Sequence, residues 1–322
     1  MNYGINYDTG FLPGPQQTRK TFDVETVKRD MRAMADDLHC TVVRVSGSNP
    51  VRLSVAAEQA AAVGLGVWFS PFPVDLTPEE TMGCLIESAE RAEALRRSGA
   101  EVILVAGCEM SAYCGGYLPG ETFLDRFHAM SGGVEFWESI GPIMQRFNAW
   151  LGEVVETVRK RFGGRITYAS GQWEVIDWTP FDLVGVGAYR AAYNAHGFRE
   201  ELREHFRHGK PVAVTEFGTC AYTGAGERGA MAWQPPAGAA RDEGEQVRYF
   251  TELLDLFHEE GVDTALWFTF AGFALQGEQD LSSYGVVRML DETRWTPKEV
   301  FRTMAARYAH AKGDATGASE CR

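Results

Sequence analysis

Eight short strand-like runs, most of them followed by a segment of helical character, constrain this chain to a parallel α/β architecture. The runs fall at residues 2–7, 41–45, 67–70, 102–106, 165–169, 183–189, 212–214 and 264–270. The run 212–214, opened by Pro211 and closed by Gly218, is apolar throughout, the pattern of a strand covered on both faces. Helix starts lie between the runs. Asp23 precedes Val27, Met31, Met34 and Leu38 at helical spacing, Asn49 precedes Pro50, and Thr77-Pro-Glu-Glu80 is a capping box opening a helix to Arg97. A second box, Thr296-Pro-Lys-Glu299, is expected to open a final helix to about His310. Residues 110–140 and 222–242 are expected as long loops after strands four and seven, with a helix from about Ile143 to Phe162 between them. No glycine-rich phosphate fingerprint follows the first run, which favours a single (β/α)8 TIM barrel over a dinucleotide-binding sheet. A chain of 322 residues that is 45% hydrophobic can bury one such core. The barrel is expected over residues 1–311, with the small, polar stretch 312–322 as a disordered tail.

Charge and cysteine content narrow the functions. The net charge of −13, without a Lys/Arg-rich run, removes the phosphate attraction on which nucleic-acid binding depends. No run reaches membrane-spanning length, and the chain opens on a strand-like segment rather than a basic and apolar leader. The expected location is cytoplasmic, with a small-molecule or oligosaccharide substrate and no nucleic-acid or membrane partner. Six cysteines are too sparse for a disulfide scaffold at this length. Cys108, Cys114 and Cys220 could meet at one face of a barrel, but no Cys-x-x-Cys or His-x-x-x-His spacing accompanies them. Buried small side chains are the better reading, and neither a metal nor a cofactor is expected.

Two strand ends carry carboxylates. Val212-Ala-Val-Thr-Glu-Phe-Gly218 delivers Glu216, and Val102-Ile-Leu-Val-Ala-Gly-Cys-Glu109 delivers Glu109. Burying an unpaired carboxylate costs several kcal/mol, so such residues need donors, a cation or a task. In a barrel the strand C-termini converge on one mouth, where strands four and seven face each other. That places two carboxyl groups across a substrate, about 5–5.5 Å apart in a retaining glycosidase.

Here the chain resembles the clan A glycoside hydrolases, barrel enzymes with an acid/base on strand four and a nucleophile on strand seven. Gly-Cys-Glu109 resembles their Gly-Asn-Glu motif, and Thr-Glu-Phe-Gly218 resembles the nucleophile motif. The similarity extends over residues 2–309. It implies that Glu109 is the acid/base, Glu216 the nucleophile, Arg44 and Tyr189 the partners of that nucleophile, and Trp267 an aromatic platform under the sugar. It also implies a retaining double displacement on a β-glycoside. Cys108 stands where the family has an asparagine that binds the sugar 2-hydroxyl, and a thiol is a poor donor. Trp173, after strand five, and Trp233, in the strand-seven loop, either line the mouth or pack the loops.

Two other readings remain open. Cys108 and the aromatic, glycine-rich loops fit a barrel repurposed for protonation or cyclisation of a non-sugar metabolite, since fold does not fix reaction. A carbohydrate-binding protein without activity is the third, and the presence of both acids counts against it.

Overall fold

The computed structural model describes residues 1–319, whose centre is a barrel of eight parallel strands. The strands are β1 (Asn2–Asp8), β2 (Val42–Gly47), β3 (Gly66–Pro71), β4 (Val102–Cys108), β5 (Arg165–Ala169), β6 (Val184–Gly187), β7 (Val212–Phe217) and β8 (Thr264–Trp267). They pair in the order β5-β4-β3-β2-β1-β8-β7-β6. The remaining seam, between β5 and β6, is closed by Asp182 N–H to Ile166 O at 2.9 Å, Ser170 N–H to Gly185 O at 3.0 Å and Gly187 N–H to Ser170 O at 2.8 Å. A Cβ at position 185 would lie 2.2 Å from Tyr168 O, so glycine is what lets these strands close.

The helices are α1 (Val24–Arg32, continued by a π-helical turn, Ala33–Asp37), α2 (Pro50–Ala62), α3 (Pro78–Arg97), α4 (Met110–Tyr113), α5 (Phe123–Ala129), α6 (Gly133–Arg159), α7 (Phe198–Phe206), α8 (Glu243–Glu259) and α9 (Glu299–Ser319). Local caps behave as their sequences direct. The Asp23 carboxylate accepts from Thr26 N–H at 2.7 Å, Asn49 accepts from Val51 and Arg52, and Thr77 and Glu80 cap each other reciprocally. Side chains of Val42, Trp68, Ile103, Val105, Leu183, Ala213 and Leu266 fill the barrel interior, and a larger apolar layer joins the barrel to its helices. No helix among the described residues is long and apolar enough to cross a membrane.

Three expectations change. Residues 110–140 are not one loop: α4 and α5 lie within them, and α6 starts at Gly133 and carries Pro142 inside it. The box at Thr296 does not cap a helix. Trp295–Pro297 is instead a strand, β11, antiparallel to β10 (Val287–Met289), which pairs in turn with β9 (Ala271–Gln276). Pairing to β10 claims the backbone that the cap would need, and the N–H of Glu299 donates across to Glu243 Oε2 at 3.0 Å. Finally, α9 continues past His310 to Ser319, into the stretch expected as a tail, and residues 320–322 lie outside the described residues.

Candidate active site

Both acid-bearing strands are irregular where they reach the mouth. On β7 the pairing register shifts on both sides around Val214–Phe217, so Glu216 turns to the mouth while Phe217 packs outward on Phe250 and Phe257. On β4 the register shifts between Val105 and Cys108, and Gly107 takes a φ of +99° that a side chain rarely adopts. Cys108 thereby joins the barrel-interior cluster, and Glu109 follows in the left-handed region at φ 48°, ψ 34°. Its N–H donates to Ala169 O at 2.9 Å, tying the turn to β5.

Glu216 is held by three neighbours. Arg44 Nη1 donates to Oε1 at 2.6 Å, the Tyr189 hydroxyl donates to Oε2 at 3.0 Å, and the Cys108 thiol lies 3.5 Å from Oε1. Arg44 is itself fully buried and anchored by Ser70 Oγ at 3.1 Å and Asn6 Oδ1 at 3.2 Å. A charged fork fixed on two strands aims its N–H groups with little entropy left to lose.

Glu109 has a different environment. Burial pushes its carboxyl well above the usual range, the charges of Glu216 and Glu174 add to that, and Arg44 opposes it. Burial also pushes up the Cys108 thiol and the Tyr189 hydroxyl, so both are protonated donors at neutral pH. One carboxyl thus sits beside a buried cation while its neighbour is driven to hold a proton, a pairing suited to acid/base division of labour.

Glu174 was missed by sequence reasoning, although it lies just past the end of β5 as the other two acids lie at the ends of their strands. It is buried, and burial raises its carboxyl to about 7 against the pull of its hydrogen bonds.

An aromatic wall was missed as well. Phe11, Phe72, Tyr113, Phe127 and Trp173 follow the C-terminal ends of β1, β3, β4 and β5, with successive ring centroids 4.4, 4.8, 5.2 and 5.8 Å apart. Trp173 is therefore part of this wall, its indole N–H bonded to Ser111 Oγ at 3.1 Å. Trp233 is 49% exposed on the strand-seven loop.

Trp267 requires correction. Along β8, Leu266 points into the barrel, so the period of two turns Trp267 outward, where it is fully buried among Phe217, Phe250 and Tyr249 with its N–H on Tyr284 O at 3.0 Å. It is a core residue and not a platform. The next residue, Phe268, returns to the mouth side, near Tyr284 at 5.6 Å and in the cluster that contains Tyr189. Trp267→Ala is expected to cost about 3–5 kcal/mol in urea denaturation. Phe268→Ala should leave stability nearly intact and raise KM; the opposite pattern would restore Trp267 as the platform.

The cysteines separate. Cys114 contacts Thr81 Oγ1 at 3.2 Å, Cys220 is buried beside Tyr189, Tyr222 and Tyr284, and Cys108 alone reaches Glu216. Among the described residues no group of three His, Cys, Asp or Glu side chains is placed to hold a metal.

Comparison with known proteins bears on the fold. No family model and no curated protein sequence matches the chain. Among solved structures, it is similar to a family 113 β-1,4-mannanase, with a TM-score of 0.65 at 15% identity, covering 96% of this chain and 98% of that one. The family 113 β-mannanase from Alicyclobacillus acidocaldarius, in complex with ManMIm, matches with a TM-score of 0.63 at 18% identity, covering 95% and 96%. An apo β-glucosidase matches with a TM-score of 0.57 at 13% identity, covering 96% and 98%. At these identities the likeness is one of fold: the chain shares a (β/α)8 barrel with these proteins.

Proposed function

We propose that this chain is a retaining β-glycosidase, a single barrel domain over residues 1–311 that hydrolyses a small glycoside or oligosaccharide. The observation that carries the reading is the division between the two acids. Glu216 is gripped by Arg44 at 2.6 Å and Tyr189 at 3.0 Å, while burial and neighbouring carboxylates push Glu109 toward its protonated form. The similar folds of proteins named as mannanase and β-glucosidase support a β-linked sugar as substrate.

In this reading a Glu216 oxygen attacks the anomeric carbon as the bond to the leaving oxygen breaks, and Glu109 gives that oxygen its proton. A glycosyl ester on Glu216 and a free aglycone result. Glu109, now a carboxylate, takes a proton from water, whose oxygen displaces Glu216 and returns the site to its starting state. Arg44 and Tyr189 receive the charge that reappears on Glu216.

A slow-reacting 2-fluoro aryl β-glycoside is the test. Mass spectrometry should find one sugar on the peptide containing Glu216, and none on Glu216→Gln. A panel of aryl glycosides that gives neither label nor turnover would reject the reading.

The second reading, acid/base chemistry on an apolar non-sugar metabolite, is favoured by the aromatic wall and by a thiol at Cys108 where a sugar would find a strong hydrogen-bonding group. It predicts that both glutamates are essential although no glycoside is cleaved.

A further inference from the structure

The turn that carries Glu109 has buried backbone donors that need partners. Glu109 precedes α4 in a left-handed conformation, which costs a non-glycine residue of order 1 kcal/mol or more, and its own side chain makes no cap. The first free N–H groups of that turn are taken by β5 and the segment after it. Met110 N–H donates to the Tyr168 hydroxyl at 2.6 Å, and Ser111 N–H donates to Glu174 Oε1 at 3.1 Å. Glu174 is the hub of this arrangement. It also accepts from the Tyr168 hydroxyl at 2.9 and 3.0 Å and from Gly171 N–H at 2.9 Å. Among the described residues no cation is paired with it, which is unusual for a buried carboxylate.

We propose that Glu174 is a positioning residue for Glu109: its buried carboxylate fixes the backbone turn that aims Glu109 and sets a second negative charge behind that acid. The kinetic part of this inference rests on the glycosidase reading, whereas the titration part does not. Because its own carboxyl is raised to about 7, Glu174 carries this charge above neutral pH, where, together with Glu216 and opposed by Arg44, it works against deprotonation of Glu109. The other titratable groups around the two acids are Cys108, Tyr113, Tyr168 and Tyr189, all pushed up by burial and therefore neutral across the working range. A general acid is active while protonated, so its activity is lost as pH rises through its pKa, and Glu174 moves that loss to higher pH.

The test uses the intact chain with glutamate labelled at the carboxyl carbon and titrated by NMR, the two signals being assigned from Glu109→Gln and Glu174→Gln. In Glu174→Gln, which keeps an acceptor oxygen for Ser111 but loses the charge, the Glu109 midpoint should fall by about one pH unit. The alkaline limb of kcat/KM for a glycoside with a poor leaving group should move down with it, while the acid limb stays. An unchanged Glu109 midpoint overturns the inference whatever the substrate. Glu174→Asp keeps the charge but draws the carboxylate back from Ser111. It should lower kcat about tenfold, through misplacement of Glu109, and leave the alkaline limb in place. Should Glu174→Gln not fold, the Asp variant alone decides: a Glu109 midpoint that stays high with reduced kcat supports the inference, and undiminished kcat overturns it. If the midpoint shifts in Glu174→Gln but no glycoside is ever cleaved, the proposed reaction fails and the role of Glu174 stands.

Discussion

Glu216→Ala should lower turnover of every glycoside substrate by about 10⁴- to 10⁶-fold, because the covalent step has no other nucleophile. The reason lies in the geometry around it. Arg44 and Tyr189 are both aimed at the Glu216 carboxylate; a guanidinium is no nucleophile, and the Tyr189 hydroxyl, which burial keeps protonated, is a weak one. The alanine variant leaves the buried Arg44 guanidinium without its anion, so some loss of stability accompanies the loss of rate. Glu216→Gln, which retains the shape, separates the two effects: it should fold normally and remain inactive. Azide added to Glu216→Ala provides a small anion for the vacated space. It should attack the anomeric carbon of an activated β-glycoside once and release the α-glycosyl azide, inverted relative to substrate. A β-azide product, or substantial activity in Glu216→Gln, would remove Glu216 from the nucleophile role.

Glu109→Ala should divide substrates by their leaving groups. A poor leaving group needs a proton as its bond breaks, and kcat/KM should fall about 10²- to 10⁴-fold. An activated aryl glycoside departs without that help, so its first step should be nearly unaffected while its covalent intermediate accumulates for want of a base. Azide should then release the intermediate as the β-glycosyl azide, retained because two displacements have occurred. The pH profile supplies an independent measure. Burial, with Glu216 and Glu174, holds the Glu109 proton well above the usual carboxylate range, so the alkaline limb expected of the wild type should vanish in the alanine variant. Equal losses for good and poor leaving groups would mean that Glu109 supports the structure rather than transferring a proton.

Much of this architecture could be read from residues close together in the chain. Asp23, Asn49 and Thr77 cap their helices through N–H groups two or three residues away, so sequence alone contains the whole interaction. Glu109 and Glu216 were legible for a related reason: each ends an apolar run, and a barrel brings all such ends to one face. The features that were misread depend on partners distant in sequence. The Thr296 box has the correct local pattern, yet β10 takes its backbone into a sheet. Trp267 and Phe268 are adjacent aromatics, and which of them faces the mouth follows from the phase of β8 against its neighbours, not from either side chain. Glu174 resembles a surface residue until β5 and α4 enclose it.

Periodicity and capping act over a few residues, so the order of strands and helices, most helix starts and the two acid-bearing strand ends can be read from the chain alone. The three-dimensional fold was needed to show which aromatic rings meet at the mouth and that Glu174 stands behind Glu109, whereas the resemblance already implied that Arg44 partners Glu216, as the 2.6 Å contact shows. Those contacts arise from barrel closure and strand register, which join residues as far apart as Arg44 and Glu216, and a one-residue change of phase would turn each of these side chains to the opposite face.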